Sequence, residues 1–187
     1  MKKIFILIFL LLFMFSGIAL ADEAKTLYSI KIHKLSHVLE LYKNGSERPY
    51  RVFGCAVGKN PGDKQWDGDC TTPVSWGNVM KSLPGAKPGT PCTEIPFVVD
   101  KINDASDWTH DFKDGRGEIK GAYGPWFISL NTGWDGIGIH GTHDYASIGS
   151  NASEGCIRLR NDNVQELKEL LSSVNGGIGI QVIILED

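Results

Sequence analysis

The chain has 187 residues, with 19 Lys and Arg against 22 Asp and Glu, a formal charge of −3. That length suits one domain with a proper core, and no basic run of the kind that binds nucleic acid is present. Nucleic-acid partners are therefore excluded, which leaves small molecules or a polymer outside the cytoplasm.

The first segment reads as an export signal. Lys2 and Lys3 precede an apolar run from Ile4 through Phe15, and Ala19-Leu20-Ala21 gives a small-x-small cleavage site before Asp22. The run is short for a spanning helix, which needs about 20 residues. No cysteine follows it for lipid attachment. Residues 1–21 are thus expected to leave an exported protein of the periplasm or cell envelope with no stable membrane anchor. Lys2 and Lys3 are two of the 19 basic residues, so the mature chain 22–187 carries 17 basic against 22 acidic residues, a charge of −5. With no internal repeat or composition break, 22–187 is expected to be a single domain.

The first half is strand-rich. Leu27-Tyr28-Ser29-Ile30-Lys31-Ile32 and Val38-Leu39-Glu40-Leu41-Tyr42 alternate, and Asn44-Gly45 marks a turn. Tyr50-Arg51-Val52-Phe53 continues through Gly54-Cys55-Ala56-Val57-Gly58 into a Gly/Pro loop from Gly58 to Pro73. Residues 74–96 read as an inserted loop before Phe97-Val98-Val99, and their length and Gly/Pro content suggest a lid. Trp126-Phe127-Ile128-Ser129-Leu130 is expected as a central strand that feeds a strand at 136–140. Near the end, Asn161 or Asp162 is the expected helix cap. Val164, Leu167, Leu170 and Leu171 recur at helical spacing, Gly176-Gly177 stops the helix, and residues 178–185 form a buried final strand. Trp66, Trp76, Trp108 and Trp134 are candidates to stack on sugars, although each alone is better read as part-buried packing.

The chemistry lies between His140 and Leu159. His140 ends a β-rich run, and sixteen residues later Cys156 sits in the turn Ser153-Glu154-Gly155-Cys156. A thiol attacks as thiolate, and its free pKa of about 8.5 leaves little of that form at neutral pH. A histidine within reach can take the proton and later deliver it to a leaving amine. Gly155 before the cysteine lets a carbonyl approach the backbone, where N–H groups can receive an oxyanion. These residues in this order point to acyl transfer.

His140-Gly141-Thr142 followed by Ser153-x-Gly155-Cys156-Ile157-Arg158-Leu159 resembles the signature of the YkuD-type L,D-transpeptidases. Gly58 to Lys64, Gly68-Asp69, Thr72-Pro73 and Tyr123-Gly124-Pro125 are further matches. The resemblance implies a mostly β domain with one substantial helix (α+β), a β-sandwich or mixed sheet of the YkuD type. It implies peptidoglycan stem peptides as substrate, attacked by Cys156 between an L-diamino acid and D-alanine, with His140 as base. Gly155, Gly141 and Ser153 would serve the oxyanion or orient the imidazole, Ser153 either within the turn or in the histidine network. Arg158, with Thr142, would either meet a substrate carboxylate or brace the loop, and bracing is the preferred reading for Arg158. The acceptor is an amine, giving a crosslink or attachment to a lipoprotein or D-amino acid, or it is water, giving an L,D-carboxypeptidase. Carbapenems are expected inhibitors. An inactive wall-binding domain of the same fold and a disulfide-stabilised interaction protein are the readings from other classes, and the intact Cys156 motif weighs against both.

Two departures stand out. Residues 74–96 break the family pattern, and Glu154 stands where many relatives have histidine. A carboxylate there disfavours the thiolate, grips a positive charge on the substrate, or points away. Of the four cysteines, Cys70 and Cys92 flank the insert, and a bridge between them would staple it; Cys55 reads as a buried thiol. No cofactor or metal is expected, since His140, His143, Cys156 and His110 lack the close ligand pairs of a zinc site. His33, His37 and His110 read as surface or satisfied histidines.

Overall fold

Alternation sets the first strands of the computed structural model, which describes residues 26–75 and 96–187. The export signal, nearly all of the expected insert, Trp76 and Cys92 lie outside the described residues. In Tyr28–His33 (β1) the fully buried Ile30 and Ile32 alternate with more accessible neighbours, and in Val38–Lys43 (β2) Leu39 and Leu41 do the same. Asn44 and Gly45 follow at φ 54 and 68, positive values at adjacent positions that asparagine and glycine tolerate best. Arg51–Gly54 (β3) then pairs back on β2, and the chain leaves it for the short strand Val57–Gly58 (β4).

After the undescribed stretch come Phe97–Asp104 (β5), a small hairpin of Thr109–Asp111 (β6) and Glu118–Lys120 (β7), and Trp126–Asn131 (β8). Gly138–His140 (β9), Asn151–Ser153 (β10) and Ile157–Arg158 (β11) precede the helix Asn161–Ser172 (α1) and the last strand, Gln181–Leu185 (β12). Eight strands form one mixed sheet in the order β11-β9-β8-β5-β12-β1-β2-β3, with β1–β12 and β9–β11 parallel. Just past β3, Ala56 exchanges backbone hydrogen bonds of 2.9 and 2.8 Å with Arg158 on β11. The two ends of the sheet therefore meet at this single bridge, and the sheet curls on itself.

Helix α1 contributes Val164, Leu167 and Leu171 to the core, where they join Ile30, Leu39, Ile128 and Ile139. Its start differs from the expectation. Arg160 is the N-cap residue and makes no side-chain cap bond, while the Asn161 carboxamide accepts the Thr142 N–H at 2.8 Å. Asn161 thus ties the helix to the segment after β9, where His140 sits. Among the described residues the architecture is mostly β, one curled eight-stranded mixed sheet with two small two-stranded ones and a single α-helix, and no helix is long and apolar enough to cross a membrane.

Candidate active site

The parallel pairing of β9 and β11 places Arg158 opposite His140 and Ile157 opposite Ile139. Side chains alternate along a strand, so Ile139 and Ile157, both fully buried, point into the core. His140, Arg158 and, one step before Ile157, Cys156 point the other way. They line one cleft of about 790 Å³ together with Lys64, Cys70, Trp108, His110, Phe112, Tyr123, Phe127 and Asp135.

His140 is 3% exposed and its Nδ1 lies 2.6 Å from the Gly141 carbonyl oxygen. A carbonyl only accepts, so Nδ1 carries the hydrogen and Nε2 is left with the lone pair a base requires. The ring lies flat on Phe127, at 5.3 Å and 9°. Burial, with the Arg158 guanidinium and His110 nearby, pushes its pKa down to about 3 in spite of the Gly141 bond. A side chain on Gly141 would meet Asn161 Oδ1 at 2.3 Å and the Gly124 backbone at 2.9 Å, so only glycine fits beside the base.

Cys156 is part-buried and donates to the Gly136 carbonyl at 3.1 Å. Among the described residues no hydrogen bond joins it to His140. Burial raises the thiol to about 11, opposed by the Gly138 backbone and the charges of Arg158 and Lys64. The resting pair is therefore a neutral thiol and a neutral imidazole. Ser153 Oγ donates to the Cys156 carbonyl at 2.5 Å and accepts the Gly155 N–H at 3.0 Å, so it shapes the turn and occupies one of the two amides expected for the oxyanion. Gly155 adopts φ 129, and a Cβ there would sit 3.0 Å from the Thr71 carbonyl. Thr72 Oγ1 donates to the Gly155 carbonyl at 2.9 Å and accepts the Gly58 N–H at 2.8 Å, which fixes the Gly/Pro loop against the turn.

That loop is held from within. Lys64 and Asp69 form a buried ion pair at 2.8 Å. Burial alone would raise the Asp69 carboxyl, but Lys64 and the N–H groups of Gln65, Thr71 and Trp66 hold it down at about 2. Lys34, itself buried, reaches the carbonyls of Gly62 and Thr72.

The structure separates the remaining expected residues. Thr142 is buried and its hydroxyl accepts the Asp144 N–H at 3.0 Å, a turn role away from the cleft. Arg158 is 6% exposed, rests on the Phe112 ring at 5.2 Å and forms no ion pair among the described residues. Glu154 lines the cleft and contacts His110 Nε2 at 3.1 Å. Cys55 is buried, as expected, and burial raises its thiol to about 12. Cys70 is a free thiol on the cleft wall, unbridged in this structure, and its expected partner Cys92 is outside the described residues. Trp66 projects into solvent, Trp134 packs against the core, and Trp108 lines the cleft.

His110 extends the sequence reading. It is satisfied, as one branch of that reading has it, by Glu154 and Tyr123, but the β6–β7 hairpin also carries it, with Trp108 and Phe112, into the cleft wall, which the reading did not foresee. Tyr123 was legible only through its place in Tyr123-Gly124-Pro125, and nothing local marked Phe112 or Phe127. His143 stacks on Phe112 at 5.4 Å behind the hairpin and does not line the main cleft. Among the described residues no group of three His, Cys, Asp or Glu is placed to hold a metal ion.

Comparison with known proteins places this geometry. The chain is 43% identical over 51 residues to the Bacillus subtilis (strain 168) protein YkuD, assigned as an L,D-transpeptidase; the alignment spans 27% of this chain and 30% of that one. The fold is similar to an L,D-transpeptidase from Xylanimonas cellulosilytica (18% identity, 87% of this chain and 62% of that chain, TM-score 0.52). It is also similar to L,D-transpeptidase 3 from Mycobacterium tuberculosis, solved with a faropenem-derived adduct (13% identity, 85% and 60%, TM-score 0.52). The chain thus spans less than two thirds of the length of each. The family profile of the L,D-transpeptidase catalytic domain matches residues 27–184. By that match over most of its length, the chain belongs to the YkuD family of L,D-transpeptidase catalytic domains.

Proposed function

We propose that this chain is an exported cysteine acyltransferase that acts on peptidoglycan stem peptides as an L,D-transpeptidase. One observation carries the reading: the β9–β11 register puts Cys156, His140 and Arg158 on a single face over one cleft. The export signal pattern of residues 1–21 supports the compartment, and the family supports the substrate class.

The Cys156 sulfur attacks the carbonyl between the third residue of a stem peptide, an L-centre, and the D-alanine that follows. Its proton passes to His140 Nε2, whose lone pair is free because Nδ1–H is committed to Gly141. The C–N bond then breaks, and His140 returns the proton to the departing amine of D-alanine. A thioacyl group remains on Cys156 until an acceptor amine attacks it and regenerates the thiol. Because both groups are neutral at rest, the proton moves as the S–C bond forms, not before substrate arrives. The Gly155 amide is engaged by Ser153, which makes the Cys156 amide the preferred oxyanion donor. The Arg158 guanidinium, which forms no ion pair among the described residues, suits a carboxylate of the stem, the other of the two roles expected from the sequence.

Incubation with a disaccharide-tetrapeptide, followed by mass spectrometry beside Cys156→Ala, tests this. Crosslinked dimers that vanish in the variant support transpeptidation, and tripeptide alone makes water the acceptor. Absence of both products and of any adduct on Cys156 refutes the proposal.

A further inference from the structure

Glu154, His110 and Tyr123 form a polar chain that links the nucleophile turn to the base through the hairpin. Glu154 Oε2 lies 3.1 Å from His110 Nε2, and Tyr123 Oη lies 2.9 Å from His110 Nδ1. A carboxylate only accepts, so Nε2 carries the hydrogen. In the neutral ring Nδ1 is then an acceptor, and the Tyr123 hydroxyl donates to it. The Tyr123 ring stands edge-on to His140, at 4.9 Å and 67°, while Phe127 supports the flat face of the imidazole. His140 thus sits between two aromatic walls, and one wall is held by His110.

We propose that His110 is a positioning residue for the His140–Cys156 pair, clamped by Glu154 and acting through Tyr123, and that its protonation resets the clamp. This rests on the reading of Cys156 as nucleophile and His140 as base. A second proton on His110 makes both ring nitrogens donors. Tyr123 must then turn its hydroxyl to accept, and its hydrogen is released from Nδ1. The charge gained also opposes protonation of His140, since a positive His110 lowers the proton affinity of that ring. Acid therefore weakens the base from one side while it loosens the wall from the other.

The charged groups that face His110 are Glu154, from the nucleophile turn, and Arg158, from β11, on the Phe112 ring that also packs against His110. Phe112 itself packs edge-on to His110 at 4.4 Å and is uncharged. Asp111 and Lys113 on the same hairpin pair with each other at 2.9 Å and contribute little net charge. Cys156, a further titratable group on the cleft wall, is neutral at rest.

The test is the rate at which faropenem acylates Cys156, followed by intact mass from about pH 5 to about pH 8, the range over which histidine changes charge. The wild-type rate is expected to fall on the acid side by about tenfold per pH unit, the slope of one titrating group. His110→Gln keeps a donor toward Glu154 but cannot take up a proton, so that limb should disappear. Glu154→Gln should change the shape of the limb, because it removes the carboxylate that accepts from His110 Nε2. If His110→Gln fails to fold, Glu154→Gln decides alone. Profiles that superimpose on wild type after normalisation overturn the proposal, whatever the variants do to stability. No adduct on wild-type Cys156 overturns the nucleophile assignment first, and this proposal falls with it.

Discussion

The β9–β11 pair and the β6–β7 hairpin form two walls of one cleft, and they are held in place by different forces. On the first wall the side chains are set by backbone: a parallel ladder, a core of Ile139 and Ile157, and a turn that Ser153 and Thr72 fasten to its neighbours. On the second, two three-residue strands are joined by a turn with exposed ion pairs such as Arg116–Asp114, which solvent screens to little net effect. The hairpin touches the site mainly through the rings of Trp108, His110 and Phe112. The difference assigns chemistry to the rigid wall and tuning to the lightly held one.

The largest effect should come from the rigid wall. Cys156→Ala is expected to abolish adduct formation, and His140→Gln to lower turnover by about 10²–10⁴-fold, the usual share of a general base. Both variants should keep the wild-type unfolding midpoint within a few degrees, since neither side chain takes part in the backbone ladder. An active Cys156→Ala protein would break the comparison at its root.

Next comes the loop that buttresses the turn. Lys64→Met strands the buried Asp69 carboxylate, and breaking such a pair costs about 3–5 kcal/mol. Urea denaturation would show it as a lower midpoint at unchanged slope. Asp69 is depressed in the folded state, so its contribution is present above its ordinary value of 3.8 and is lost as pH falls toward about 2. In acid the difference between wild type and Lys64→Met should therefore shrink; a constant difference down to about pH 2 would detach the pair from the loop's stability.

Gly155→Ala is smaller. At φ 129, 3.0 Å from the Thr71 carbonyl, a side chain costs about 1–3 kcal/mol of strain. Because the shift is borne by the turn itself, kcat should fall more than stability does. A variant that loses stability but keeps wild-type kcat would show that the turn tolerates displacement.

What the sequence disclosed follows the same division. β1, β2, β8 and β12 were legible because apolar residues alternate or run together over five or six positions, and His140 and Cys156 because their neighbours have fixed identities. The hairpin was not legible. Its strands are three residues long, and Asp111-Phe112-Lys113-Asp114-Gly115-Arg116-Gly117-Glu118 has no apolar period at all. His110 read only as a surface or satisfied histidine, with no place in the cleft, because its partner Glu154 is 44 positions away. Asn161 read as a helix cap because position before a helix is a local cue, whereas its bond to Thr142 spans 19 positions. Local pattern reports backbone ladders; pairings across the cleft leave no period to read.

The smallest effect tests the lightly held wall. Phe112 packs on His110 at 4.4 Å, on His143 at 5.4 Å and under Arg158 at 5.2 Å, yet it is only part-buried. Aromatic and cation–π contacts of this kind contribute about 0.5–1.5 kcal/mol. Phe112→Ala should therefore lower the unfolding free energy by roughly 1 kcal/mol, within reach of a chemical denaturation series. The guanidinium of Arg158 would lose its platform and spread over several orientations, which weakens capture of a substrate carboxylate. KM should rise by about tenfold or less while kcat changes little, because the ladder that aligns Cys156 with His140 does not include the hairpin. A fall in kcat with KM unchanged would place Phe112 on the chemical side of the cleft and erase the distinction between the two walls.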